Sequence, residues 1–298
     1  MLSIKINLAH SFTQIFSIYF LAVTLFSFSV FVKAQSTEKT NQLPANQQIK
    51  NAQSLELNQS IERQIKGGET HSFQFKVTAG YYARAEVEQK NIDVVVSLFA
   101  PDGKLVVEMD GKDGRLWREA VSAFAETGGL YRVEIKAYGA AAATGSYTVK
   151  LAELRSSVPN DRKRLEAEAH LSAGRKFDSQ GGAKNLEAVK EYEAAVALWR
   201  ELGEAEWEAI TLTNLGWTYS NLSKNEQAIA AHTRAMELFQ KTKDRVGESK
   251  VVNGLGNSYN ILIQYDKARE FYEKALIIRR EIKDRRGEGN TLLNLGRI

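Results

Sequence analysis

Cysteine is absent from this chain, which excludes disulfides, thiolate metal ligands and a lipid-accepting cysteine, so stability has to come from burial alone. Histidine is nearly as scarce. His10, His71, His170 and His232 stand far apart, with no second histidine or paired carboxylate at ligand spacing, so no zinc site is expected. A strong excess of one charge is also missing. The net charge is +4, falling to +2 without Lys5 and Lys33, and no Lys/Arg run longer than two interleaves with aromatics. That pattern excludes the electrostatic footprint of a nucleic-acid binder. Nor is there a Gly-x-Ser-x-Gly elbow, a His-Glu-x-x-His helix or a Walker loop. No catalytic residue, metal or cofactor is expected, and these residues do not read as an enzyme.

The first 34 residues have the layout of an export leader. Lys5 supplies the positive start, Ile15 to Val32 is apolar apart from Ser and Thr, and Val32-Lys33-Ala34 fits a cleavage site. Retained, the same segment approaches the length of a membrane anchor, and only then is contact with a membrane expected. Under either reading the rest is exported to a periplasm, a cell surface or the medium, and the lack of disulfides fits a bacterial route. Residues 35–53 are rich in Gln, Asn, Ser, Thr and Lys and read as a flexible linker.

Residues 54–155 carry a strand pattern. The segments 72-SFQFKV-77, 82-YARAEVEQ-89, 93-DVVVSLF-99, 104-KLVVEM-109, 130-LYRVEIK-136 and 146-SYTVKLAE-153 alternate or run apolar with β-branched and aromatic residues. Turn signals at 67-GGE-69, 79-AG-80, 101-PDG-103, 110-DGKDG-114 and 128-GG-129 separate them. An antiparallel β-sandwich follows. The tract 110-DGKDG-114 lacks the downstream Glu of an EF-hand and reads as a hairpin turn. The order Gly-Glu-x-x-x-Phe-x-Phe, Ala-Gly, Asp-Val-x-Val-x-Leu-Phe-x-Pro-Asp-Gly and Gly-x-Tyr-x-Val-x-Ile resembles the bacterial pre-peptidase C-terminal domain. That resemblance implies a jelly-roll-like sandwich. Fold analogy also leaves glycan binding open.

From Trp207 to Gly296 the chain repeats itself every forty residues, after a degenerate first repeat whose Gly174 lies forty-two residues before Gly216. Leu215, Leu255 and Leu295 align, as do Gly216, Gly256 and Gly296, Tyr219 and Tyr259, Ala188, Ala228 and Ala268, and Ala195, Ala235 and Ala275. Such a period signals stacked supersecondary units, here pairs of helices with apolar residues at helical spacing. Gly216, Tyr219, Ala228, Ala235, Gly256, Tyr259, Ala268 and Ala275 are the expected packing residues, the small ones letting two helix backbones approach. The 254-GLG-256 glycines belong to this set and not to a dinucleotide loop. Leu-Gly-x-x-Tyr followed by Ala, a ring and Ala resembles the tetratricopeptide repeat (TPR) family over 161–298, best in 265-YDKAREFYEKAL-276. The forty-residue period resembles the long-repeat subclass of kinesin light chains and cell-polarity adaptors. Its Gly-Glu pairs, 247-GE-248 and 287-GE-288, should open the first helices. The expected architecture is therefore β followed by α: a sandwich, then an α-helical solenoid of three repeats and a truncated fourth. Asn160 and Asp161 are placed to cap the first helix.

The resemblance implies non-enzymatic binding of a protein or peptide in the concave groove formed by the first helices. Carried over position by position, the groove residues are Ile210, Thr213, Trp217, Ser220 and Asn221, then Lys250, Asn253, Asn257, Asn260 and Ile261, then Asn290 and Arg297. Asn can hydrogen-bond a peptide backbone whatever its sequence, and Trp217 either anchors a ligand or packs within the repeats. His232 stands where other repeats have Tyr192 and Tyr272 and should be a core residue, while His71 falls in a turn region. Two further expectations concern the ends: self-association through an uncapped last helix, and a chain that fronts a larger caspase-like (CHAT) peptidase, recruiting its substrates.

Overall fold

A computed structural model describes residues 52–110 and 116–298. The leader, nearly all of the linker and most of 110-DGKDG-114 lie outside the described residues. Nine strands come first: β1 (Gln53–Ser54), β2 (Ser60–Lys66), β3 (Thr70–Val77), β4 (Tyr81–Lys90), β5 (Val94–Phe99), β6 (Leu105–Asp110), β7 (Leu116–Phe124), β8 (Gly129–Ala137) and β9 (Thr144–Ser156). Seven helices complete the described residues: α1 (Pro159–Gln180), α2 (Lys184–Leu202), α3 (Ala205–Asn221), α4 (Asn225–Thr242), α5 (Arg245–Ile261), α6 (Tyr265–Glu281) and α7 (Arg285–Leu295). Among the described residues no helix is long and apolar enough to cross a membrane.

The strands form two sheets ordered β1-β3-β8-β5-β6 and β2-β9-β4-β7. All pairings are antiparallel except the short β1–β3 contact. Setting β1 aside, the orders 3-8-5-6 and 2-9-4-7 are those of a jelly roll, as the sequence resemblance implied. Phe73, Phe75, Val96, Leu98, Val133 and Ile135 of one sheet and Ile65, Ala85, Val87, Val121, Val149 and Leu151 of the other are buried. Each set repeats at alternate positions along its strand, which gives each sheet one inner face.

Three strands were not legible. β1 is two residues long, and β2 dilutes Ile61 and Ile65 with Glu62, Arg63 and Gln64. β7 is buried on both sides over Glu119–Ala123, so its polarity does not alternate. β6 and β7 lie in different sheets and do not pair, so the strands flanking 111–115 do not make the expected hairpin. His71 is likewise not in a turn: it is the second residue of β3, with Nδ1 2.7 Å from the Tyr147 hydroxyl.

The helices stack in consecutive antiparallel pairs joined by connectors of two or three residues, so the long period is spent on helix and not on loop. The helices also begin earlier than the Gly-Glu pairs suggest. Asp244 and Asp284 are the N-caps, and their carboxylates each accept from the backbone N–H of Gly247 and Gly287 at 2.9 Å. At the first helix, Asn160 and Asp161 are inside the first turn. Asp161 reaches back to the N–H of Val158 at 2.7 Å and accepts two hydrogen bonds from Arg155, so it caps from the third position. Replacing Asp244 by Ala should cost about 1 kcal/mol, read from the urea midpoint; an unchanged midpoint would show that this turn does not depend on its cap.

The recurring spacing of small residues has a physical cause that differs from backbone contact. A Cβ on Gly174 would sit 2.6 Å from the Tyr192 ring, one on Gly216 2.5 Å from the His232 ring, and one on Gly256 2.6 Å from the Tyr272 ring. Each first-helix glycine makes room for a second-helix ring. Ala188, Ala228, Ala235, Ala268 and Ala275 are fully buried; Tyr219 is buried, and half-buried Tyr259 stacks on Phe271 at 5.4 Å. Gly256→Ala should lose about 1–3 kcal/mol of stability, because Tyr272 is tied to Asn257 and cannot swing aside. A midpoint shift under a few tenths of a kcal/mol would show that the ring gives way.

Sandwich and solenoid are not separate bodies on a tether. One contiguous hydrophobic cluster runs from Leu55 through Leu171 to Val251. Arg175 of α1 enters between β6 and β7, where Nη1 lies 2.5 Å from Glu119 Oε2 and 4.0 Å from Met109 Sδ. Ser172 donates to the carbonyl of Glu108 at 2.7 Å. On the outer face of β4 and β7, Tyr82 donates to Ser122 and Ser122 to Glu168 of α1, and Arg84 stacks over the Trp207 ring of α3.

Candidate functional site

Three helices, α3, α5 and α7, each the first of its repeat, converge on one cleft of about 350 Å³. Trp217, Ser220 and Asn221 come from α3, Asn257, Asn260 and Ile261 from α5, Asn294 from α7, Arg297 from just beyond it and Tyr272 from α6. The helical period explains the set: residues three or four apart fall on one stripe of each helix.

Trp217 packs within its repeat and also faces the cleft. Its ring meets His232 edge to face at 5.1 Å, and it still lines the cleft. Beneath it, His232 is wholly buried, and neither ring nitrogen has a hydrogen-bond partner among the described residues. Burial pushes its pKa down to about 4, so it is neutral, as a core residue should be. Asn257 accepts from the Tyr272 hydroxyl at 2.7 Å and from the Asn294 amide at 3.2 Å. With its oxygen engaged twice, it can offer a ligand only its amide nitrogen. Burial raises the Tyr272 pKa and nearby Arg297 lowers it, so the phenol stays a donor. Arg297 is the one charged side chain among the lining residues.

Five expected groove residues stand elsewhere. Thr213 is buried, its hydroxyl spent on the carbonyl of Ala209 at 2.8 Å. Asn253 is also buried and accepts from Arg279 and Thr291, which knit α5 to α6 and α7. Lys250 lies toward the sandwich, where its charge offsets a small part of the upward shift that burial gives Glu119. Ile210 is buried beside a second, more polar hollow of about 530 Å³ between sheet and solenoid. Asn290 is exposed and outside the cleft. Lys250 and Asn253 are taken up by the sheet and by neighbouring helices, Thr213 by its own helix, and Asn290 stays exposed to one side of the cleft. Tyr272 and Asn294 were missed. Asn294 lies one turn before Arg297 on the same face, which was the available signal, but its repeat equivalents Asn214 and Gly254 do not line the cleft.

Comparison with known proteins bears on the helices directly: residues 183–241 and 252–282 match models of the tetratricopeptide repeat. These helix pairs are tetratricopeptide repeats. No curated protein sequence matches the chain. Among solved structures, the TPR domain of Arabidopsis FLU is 22% identical, with 40% of this chain and 98% of that one covered and a TM-score of 0.38. BtubC (BKLC) from P. vanneervenii is 27% identical over 48% of this chain, with a TM-score of 0.39, and the match spans 57% of that structure. The sheet region is similar to the pre-peptidase C-terminal domain of a Bacillus anthracis collagenase, 17% identical, with 37% of this chain and 98% of that one covered and a TM-score of 0.28. Tetratricopeptide repeats serve protein–protein interaction in general, and the chain carries several in tandem.

Proposed function

We propose that the cleft between α3, α5 and α7 binds an extended segment of a partner protein, and that the chain acts as an exported, non-enzymatic interaction module. One observation carries this reading. Three successive repeats bring a tryptophan, a row of asparagines and a single arginine onto one cleft, with no carboxylate among the lining residues. Asparagine amides suit a peptide backbone of any sequence, and the Trp217 ring offers a broad apolar contact at little entropic cost. Among the described residues no cluster of histidine or acidic side chains could hold a metal ion. The leader-like first 34 residues support export.

A photo-crosslinking residue placed at Asn260 in the native host tests the site, with Glu273 on α6 as the outside control. A discrete adduct from position 260 alone, lost on Trp217→Ala while helix content is kept, is the expected result. Equal adducts from both positions, or an adduct that survives Trp217→Ala, would remove the cleft from consideration.

A further inference from the structure

Besides the Arg155–Asp161 and Arg164–Glu153 pairs at the end of β9, three carboxyl–guanidinium pairs among the described residues cross the junction between sandwich and solenoid. Glu119 of β7 meets Arg175 of α1 at 2.5 Å, Glu168 of α1 faces Arg84 of β4 at 3.8 Å, and Glu206 of α3 meets Arg118 of β7 at 3.0 Å. The middle pair is buried on both sides. Glu168 is 2% exposed and Arg84 3%. Ser122 donates to Glu168 Oε1 at 2.7 Å, Tyr82 stands behind Ser122, and Oε2 of Glu168 has no hydrogen-bond partner among the described residues. A buried carboxylate that faces its counter-ion at this distance, with one oxygen unsatisfied, is held at a cost that its protonated form avoids.

We propose that this junction is a pH-responsive latch, in which ionisation of Glu168 loosens the sandwich from the first repeat and protonation closes it. The groups around Glu168 fix the direction. Arg84 of β4 and Arg164 of its own helix favour the carboxylate, as does the Ser122 hydroxyl of β7, while Tyr82 and Glu86 of β4 add no compensating positive charge. From β9, Arg155 is committed to Glu153 and Asp161. Burial outweighs the favourable partners, and Glu168 is pushed up to about 7. Burial also raises Glu119 and Glu206, the latter helped by Asp244 of α5 and Glu86. These three acids act in the same sense, against Asp161, whose carboxyl, in spite of burial, is held below its ordinary value by the hydrogen bonds from Arg155 and the Val158 N–H. The latch holds best below the ordinary carboxyl pKa and weakens as pH rises through about 7.

Hydrogen exchange of the full chain, corrected for the intrinsic rate at each pH, tests this. Protection of 118–124 and 159–175 should fall roughly thirty-fold from about pH 5.5 to about pH 8 in the wild type. Glu168→Gln, which fixes the neutral form, should keep the acid-side protection throughout. Helix α6 at 265–281 serves as the internal control and should lose much less. Flat or rising protection in the wild type would overturn the latch, as would an unaltered pH dependence in Glu168→Gln. A parallel loss in α6 would overturn it too, by showing that the unit opens as a whole. Should Glu168→Gln fail to fold, the wild-type profile and the α6 control still decide. His232 cannot imitate the effect, because its charging weakens the fold as pH falls, the opposite sense.

Discussion

Arg175→Met should destabilise the fold by about 3–5 kcal/mol, the loss typical of removing one partner from a buried ion pair. Arg175 is 6% exposed, and the Glu119 it meets is wholly buried. Oε1 of Glu119 already lacks a hydrogen-bond partner, so without the guanidinium the carboxyl keeps only the weaker influence of Lys250 and takes up a proton more readily. The position also matters for architecture, because Arg175 enters between the edges of the two sheets and fastens α1 there. A double replacement separates the charge from the packing. Glu119→Leu with Arg175→Met should return to within about 1 kcal/mol of the wild type, since a well-packed apolar pair needs no counter-charge. Urea denaturation followed by far-UV circular dichroism reads both. A single variant within about 1 kcal/mol of wild type would mean that water reaches Glu119, and the packing described for this junction would be wrong.

Acidification should weaken the solenoid through His232, and His232→Phe should abolish that part of the acid sensitivity. The folded chain holds His232 neutral with a pKa of about 4, against an ordinary value of 6.5. The unfolded chain therefore takes up the proton at higher pH than the folded one. Stability is intact above about 6.5, declines as pH falls toward about 4, and levels off below, for a total loss of about 3 kcal/mol. Phenylalanine keeps a ring against Trp217 and in the space left by Gly216 and Gly254, and it buries no unpaired nitrogen. The variant should be as stable as the wild type or more so at neutral pH, and flatter toward acid. Thermal midpoints measured from pH 7 to pH 4 provide the test. Parallel curves for the two proteins would show that His232 is already protonated or solvated in the native state. Glu168 pulls the other way over an overlapping range, so Glu168→Gln and His232→Phe should change the acid profile with opposite signs.

The repeats were legible because their physics is local and recurs. A glycine every forty residues can be read from the sequence, and so can the ring it accommodates once two helices are known to pair. Six of the nine strands were legible for the same kind of reason, since alternation marks a strand with one face in the core. β7 escaped because α1 and α3 cover its outer face. That cover comes from residues forty or more positions away, and nothing within β7 announces it.

The candidate cleft divides in the same manner. Helical period put Trp217, Ser220, Asn221, Asn257, Asn260 and Ile261 on one side of their helices, and all six line it. Thr213, Lys250 and Asn253 share that period, but what covers them is a matter of tertiary contact: a turn of their own helix, the sandwich, or Arg279 reaching over from α6. By itself the sequence determined a sheet sandwich followed by stacked helix pairs, together with the residues that pack each pair, because periodicity and small-to-large pairing act over one or two elements. Only the tertiary structure decided that α1 belongs to both halves and that Glu119, Glu168 and Glu206 are placed at their junction. A charged residue reads as solvent-facing until the distant partner that desolvates it is in place.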